Sequence, residues 1–153
     1  MLRLRSHLET DDRYFLLGCY ILYYCFIRPK EMTFIRLRDI SVKNSTIFIS
    51  SEVSKNGKGS VVTLPDCVLK LMLDLQVLNN PADWYLFSDG FKPGRQYRSG
   101  KQFTDAWTKL RKSFKWPDEY KFYSLKDTGI TDMIRDHTDL LAVRDQARHH
   151  SLE

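Results

Sequence analysis

Between Tyr14 and Ile27 apolar residues occupy nearly every position, the pattern of a helix buried on most of its sides. Thr10-Asp11-Asp12 offers an N-cap ahead of it, and Pro29 disfavours helical geometry at Arg28, so the helix is expected to end near Ile27. Arg28 therefore stands at a helix end, from which a cation can project. Met32 and Ile35, with Leu37 as a further candidate, then mark the apolar face of a short amphipathic turn. The period next shortens to two. Thr46-Ile47-Phe48-Ile49 and Val61-Val62-Thr63-Leu64 are β-branched runs flanking Lys55-Asn56-Gly57-Lys58-Gly59, which predicts an antiparallel hairpin with lysines at its tip.

Pro65-Asp66 can open a further helix, with Val68, Leu69, Leu71, Met72, Leu75 and Leu78 at helical spacing up to Asn79-Asn80-Pro81. A short apolar run, Trp84 to Phe87, leads into a Gly-containing basic loop that carries Lys92, Arg95, Arg98 and Lys101. Phe103, Ala106, Trp107, Leu110 and Phe114 mark a helix that also bears Lys109 and closes before Pro117. Segments 124–134 and 140–147 read as two more helices. The pattern is that of a mainly α chain with a small antiparallel β-hairpin or sheet, an α+β domain. Internal repeats, low-complexity tracts and linkers are not visible.

Composition narrows the picture. A chain of 153 residues is long enough for one core, a domain of that size burying roughly 68–70% of its unfolded surface. With 42% apolar residues, 7 Gly and 5 Pro it is neither disordered nor fibrous. The net charge of +5 favours an anionic partner, nucleic acid foremost. Cys19, Cys25 and Cys67 form no CxxC pair and have no histidine at ligand spacing, so neither a disulfide framework, a metal site nor a cofactor is indicated. The 14–27 run is shorter than the ~20 residues of a membrane span. No export signal follows the basic N-terminus, and a reducing, cytoplasmic setting is expected.

Four separated signals then gain weight from their order: Arg28 at a helix break, Lys55 in the hairpin, Tyr123-Ser124-Leu125-Lys126-Asp127-Thr128 opening a helix, and His149-His150-Ser151 near the end. The set resembles the catalytic domain of tyrosine recombinases, the phage integrase family. Arg28-Pro29-Lys30-Glu31 is similar to the family's first arginine motif, R-x-x-E, and Leu37-Arg38-Asp39-Ile40 to the stretch before its hairpin. Lys55 corresponds best to the hairpin lysine, with Lys58 the competitor. The second motif, H-x-L-R-H-T, reads Tyr-Ser-Leu-Lys-Asp-Thr here, so Lys126 replaces an arginine and loses its planar two-pronged grip on phosphate. His149 aligns with the third-motif histidine, with His150 one residue out of register.

The resemblance implies a catalytic-domain fold of that family and a DNA-integrating or recombining activity. Arg28 and Lys126 would stabilise charge on a scissile phosphate, Lys55 would protonate the leaving 5′-oxygen, and Tyr123 and His149 would hydrogen-bond the phosphate or assist the nucleophile. The nucleophilic tyrosine would lie beyond Glu153, so residues 1–153 are expected to be an inactive fragment. They would lack both an N-terminal core-binding domain and the tyrosine segment. Double-stranded DNA is the implied partner, held by Lys58, Lys92, Arg95, Arg98, Lys101 and Lys109, with further protomers in a tetrameric synapse in a bacterial cytoplasm. The alternative is a catalytically degenerate DNA-binding module of the same descent.

Overall fold

A computed structural model describes residues 1–53, 57–136 and 140–147 of the chain. The N-terminal segment forms α1 (Leu2–Asp11), which buries only Leu4 and Leu8, one turn apart. Asp12 ends it and caps the next helix, its Oδ1 accepting the Phe15 N–H at 3.0 Å. That helix, α2 (Arg13–Cys25), is buried along almost its whole length, as its composition requires. It stops where Phe26 adopts a left-handed backbone (φ 58°), and Pro29 opens the single turn α3 (Pro29–Met32).

A three-stranded antiparallel sheet follows, in the order β1 (Ile40–Ser41), β2 (Thr46–Ile49), β3 (Ser60–Thr63). The hairpin pairs Ile47 with Val62 and Phe48 with Val61, so Ile47, Ile49 and Val62 face the core while Phe48 and Val61 face outward. The two-residue β1 was too short to leave a periodic signal. Helix α4 (Asp66–Asp74) buries Val68, Leu71 and Met72, and α5 (Lys101–Phe114) buries Phe103, Trp107 and Leu110 at i, i+4 and i+7. Helices α6 (Ser124–Arg135) and α7 (Leu140–Ala147) complete the order.

The core is aromatic. Phe103 and Phe122 stack with centroids 5.5 Å apart, and Phe15 and Phe91 close round them. Helix α2 is the axle: α1, α4 and α6 all pack on it. It meets α6 very closely, since a Cβ on Gly129 would stand 1.9 Å from the Tyr23 carbonyl oxygen and 3.0 Å from the Phe26 ring. Only glycine permits that approach. Beyond it, the Tyr23 hydroxyl donates to the Asp132 carboxylate. Burial, and then the negative charge of Asp132, push the Tyr23 phenol well above its ordinary pKa and keep it a neutral donor.

Gly129→Ala should therefore cost about 3 kcal/mol or more, since the obstacle is backbone and the helices must part to admit a methyl group. The check is a urea titration: the midpoint should fall with an unchanged slope, and an unaltered midpoint would show that the crossing is looser than described.

A candidate phosphate-binding site at the α2–α6 crossing

Arg28 is set by its own helix turn. As N-cap of α3 it donates its backbone N–H to Glu31 Oε1 at 3.0 Å, and its guanidinium Nε reaches the same oxygen at 3.4 Å. Glu31 is 1% exposed, so its charge is held in the interior, where it fixes the base of the arginine while the side chain remains partly open. The R-x-x-E spacing is thus a capping device as well as an ion pair. The sequence carried that signal, an acidic residue three positions after a helix start, but it assigned Glu31 no role.

Lys126 enters from α6. It lies in the first turn of that helix, is 7% exposed, and donates from its ammonium to the Tyr123 hydroxyl at 3.4 Å. The ammonium also sits 5.6 Å from the Tyr123 ring centroid. Tyr123 itself is 41% exposed, so it shields the cation on one side and presents its ring to solvent. The partial positive charge of the α6 N-terminus adds to that of Lys126, which makes this end of the helix suited to an anion. Gly129, three residues after Lys126, packs on Tyr23 and Phe26, the latter two residues before Arg28, so the segments that carry the two cations are in contact.

Two further ties converge here. Gln146 on α7 donates from its amide to the Tyr24 carbonyl at 3.2 Å and to the Thr63 carbonyl at 2.9 Å, joining α7, the end of α2 and the return strand of the hairpin. Gly100, just before α5, faces Pro29, so that a Cβ there would stand 4.0 Å from the Pro29 Cβ. Lys55 and His149, with its neighbour His150, lie outside the described residues.

The basic residues expected to follow a nucleic acid are spread over the molecule instead of forming one patch. Lys101 opens α5 beside Pro29, and Lys109 is exposed two turns along the same helix. Lys58 is exposed near the hairpin tip. Lys92 lies 5.5 Å from the ring of Tyr14, at the opposite end of α2 from Arg28, a helix of about 20 Å. Arg98 pairs with Asp89 and donates to Gln96 at 2.7 Å, which draws it along its own loop. Arg95 lines a separate cleft with Arg36. Loop 92–100 therefore directs its charges three ways, which a count of its lysines and arginines does not show.

Among the described residues no group of three His, Cys, Asp or Glu side chains gathers as metal ligands, and no helix is long and apolar enough to cross a membrane. Cys19 and Cys25 are buried thiols that burial pushes to high pKa, so neither is an activated nucleophile.

The molecule is thus a mainly helical α+β domain in which an arginine follows α2 and a tyrosine–lysine pair opens α6, the two helices packed together at Gly129. The chain belongs to the phage integrase family, whose model matches residues 2–153. Its fold is that of solved recombinase structures. XerA recombinase aligns at TM-score 0.74 and 17% identity over 95% of this chain and 51% of its own. The Tn1549 transposon integrase in complex with a circular intermediate DNA aligns at TM-score 0.76 and 13% identity over 96% and 55%. The integrase from mycobacterium phage Brujita aligns at TM-score 0.75 and 14% identity over 99% and 49%. The chain spans about half the length of these structures. No curated protein matches it.

Glu31→Ala should cost about 1–3 kcal/mol, the loss of a cap and of a buried partner for Arg28. Glu31→Gln retains an acceptor for the backbone N–H and should cost less. Urea midpoints for the two variants check this, and equal midpoints would remove Glu31 from the positioning of Arg28.

Proposed function

We propose that this chain is the catalytic core of a site-specific tyrosine recombinase or integrase, which cuts and rejoins double-stranded DNA. The observation that supports it most is the packing of α2 on α6 at Gly129, which joins the segment leading to Arg28, braced by Glu31, to the helix that opens with Tyr123 and Lys126, in the order of the family's motifs. Two cations on the non-bridging oxygens would stabilise the charge that grows on a phosphate under attack. The phenol oxygen of a tyrosine following Glu153 would attack phosphorus. The bond to the 5′-oxygen would break as Lys55 protonates it, leaving a 3′-phosphotyrosyl link. A 5′-hydroxyl of a second strand would then displace the tyrosine, so no bond energy is lost between cleavage and rejoining.

Lys58, Lys101 and Lys109 would hold flanking phosphates, with Lys92, Arg95 and Arg98 contributing from the loop. His149 and Tyr123 would assist at the scissile phosphate. Four protomers in a synapse, acting on DNA in a bacterial cytoplasm, complete the reading. The Tyr-Ser-Leu-Lys-Asp-Thr form of the second motif favours one further reading, a module of the same descent that binds DNA without cutting it.

The test extends the chain past Glu153 in its native frame and mixes it with a nicked duplex whose cleaved end diffuses away. A covalent protein–DNA adduct supports the enzyme. Binding with no adduct, despite a tyrosine in the extension, supports the silent module instead. In the same duplex-binding assay Arg28→Ala and Lys126→Ala should each flatten the salt dependence by about one phosphate contact. Unchanged slopes in both would place the anion elsewhere.

A further inference from the structure

A second cationic feature begins at Arg36, four residues beyond the end of α3. Isolated antiparallel bridges join Arg36 to Tyr85 and Tyr85 to Gly94, bringing three distant segments side by side. The Tyr85 N–H donates to the Gly94 carbonyl at 2.8 Å, and the Leu37 N–H to the Trp84 carbonyl at 2.9 Å. This small ladder sets Arg36 and Arg95 on opposite sides of Tyr85. They line a cleft of about 290 Å³ with Pro81, Asp83 and Trp84. Arg36 is fixed before any ligand arrives: Nη1 donates to the Asp83 carbonyl at 2.6 Å, Nη2 to the Tyr85 hydroxyl at 3.0 Å, and the guanidinium carbon lies 4.4 Å from the Tyr85 ring centroid.

The rings continue across the surface. Tyr97 lies 5.8 Å from Tyr85 and 5.0 Å from Phe34, ring to ring, and its hydroxyl is 3.3 Å from Thr33 Oγ1 on the α3 side. Phe34 and Tyr97 are 38% and 43% exposed, so the folded chain leaves two packed aromatic rings partly in water, joined through Tyr85 to Arg36. An acidic peptide would use the cations and waste the rings, whereas an apolar segment would meet the cations unpaired. A nucleotide uses both, its base on the rings and its phosphate on Arg95. In a duplex the base faces are already covered by their neighbours, so the base that lies here must be unpaired.

We infer that the Phe34–Tyr97–Tyr85 ridge and the Arg36–Arg95 cleft beside it form a seat for one unpaired nucleotide of the bound DNA. This rests on the DNA-acting function proposed above and adds to it a strand-opening preference next to the site of Arg28. Tyr97 and Phe34 stack the base, Arg95 meets a phosphate, and Arg36 holds the wall.

The test measures fluorescence anisotropy of the full chain with a labelled intact duplex and with the same duplex carrying a short single-stranded gap. The unaltered chain should bind the gapped DNA more tightly. Phe34→Ala and Tyr97→Ala should each weaken gapped-DNA binding by roughly 5- to 150-fold, the usual loss of one base stack, and leave intact-duplex binding nearly unchanged. Equal losses on both DNAs, or none, overturn the proposal. Should either variant fail to fold, 2-aminopurine in the gap reads the stack in the unaltered protein: quenching on binding supports the seat, and unchanged emission overturns it. Tight binding to intact duplex without preference for the gap removes the seat and leaves the DNA-acting reading standing, while binding to neither DNA removes both. If the substitutions instead dissolve a dimer seen by light scattering and leave DNA binding unchanged, the ridge belongs to a second copy of the chain and the nucleotide seat is wrong.

Discussion

The contact on which the rest depends is the one with no side chain in it. At Gly129 the backbone of α6 lies against the Tyr23 carbonyl, closer than any Cβ would allow. A glycine inside a helix costs about 1 kcal/mol relative to alanine, and here that cost is offset by what the approach brings together. Lys126, Gly129 and Asp132 follow at three-residue steps and share one face of α6. One step is the cation, the next the contact, the last the acceptor of the Tyr23 hydroxyl. Rotating α6 to relieve a larger residue at 129 would swing Lys126 away from the end of α2 and break the Tyr23 link at once. The position of the cation and the packing of the core are therefore one constraint.

The same helix end gathers the rest of the domain. Phe26 turns the chain out of α2 with a left-handed backbone, an uncommon conformation for a bulky residue, and the turn is held by full burial of its ring. Pro29 and Glu31 then rebuild a helix in a new direction, with Arg28 at the corner. Gln146 reaches in from α7 to the last turn of α2 and to β3. A sheet of three short strands would be weak by itself. Buried on one face by Ile47, Ile49 and Val62 and clipped by Gln146, it is held as part of the helical core.

Elements with a long apolar run or a regular one-sided pattern were legible in the sequence. The apolar run of α2 and the periodic positions of α4, α5, α6 and α7 predict those helices to within a few residues, and the two β-branched runs predict the hairpin. Helix α1 was not legible, because with only Leu4 and Leu8 buried its pattern is mostly charge. At the site, the order of Arg28, Tyr123 and Lys126 was visible, but the close packing of α2 on α6 that relates their segments was not. It depends on Gly129, which in sequence is only a glycine inside a helix, a cue to close packing without a stated partner. The Arg36–Tyr85–Gly94 ladder was hidden for a different reason: its segments are single bridges of long sequence separation, too short to carry a period.

Which arginines can engage a phosphate depends on what holds them, more than on how many there are. The Arg98–Asp89 pair is exposed on both sides, and such pairs are worth little in water. A phosphate that offers a stronger charge could take Arg98 from Asp89 at small cost. Arg28 differs in kind, because its partner Glu31 is shut in the core and also caps the backbone of the turn. Releasing that carboxylate would leave a buried charge and an unmade hydrogen bond, each costing several times an exposed pair. An anion must therefore bind Arg28 in addition to Glu31, at the orientation Glu31 sets. Exposed pairs can supply affinity that yields to salt, while the buried pair supplies the fixed geometry that chemistry on a phosphate requires.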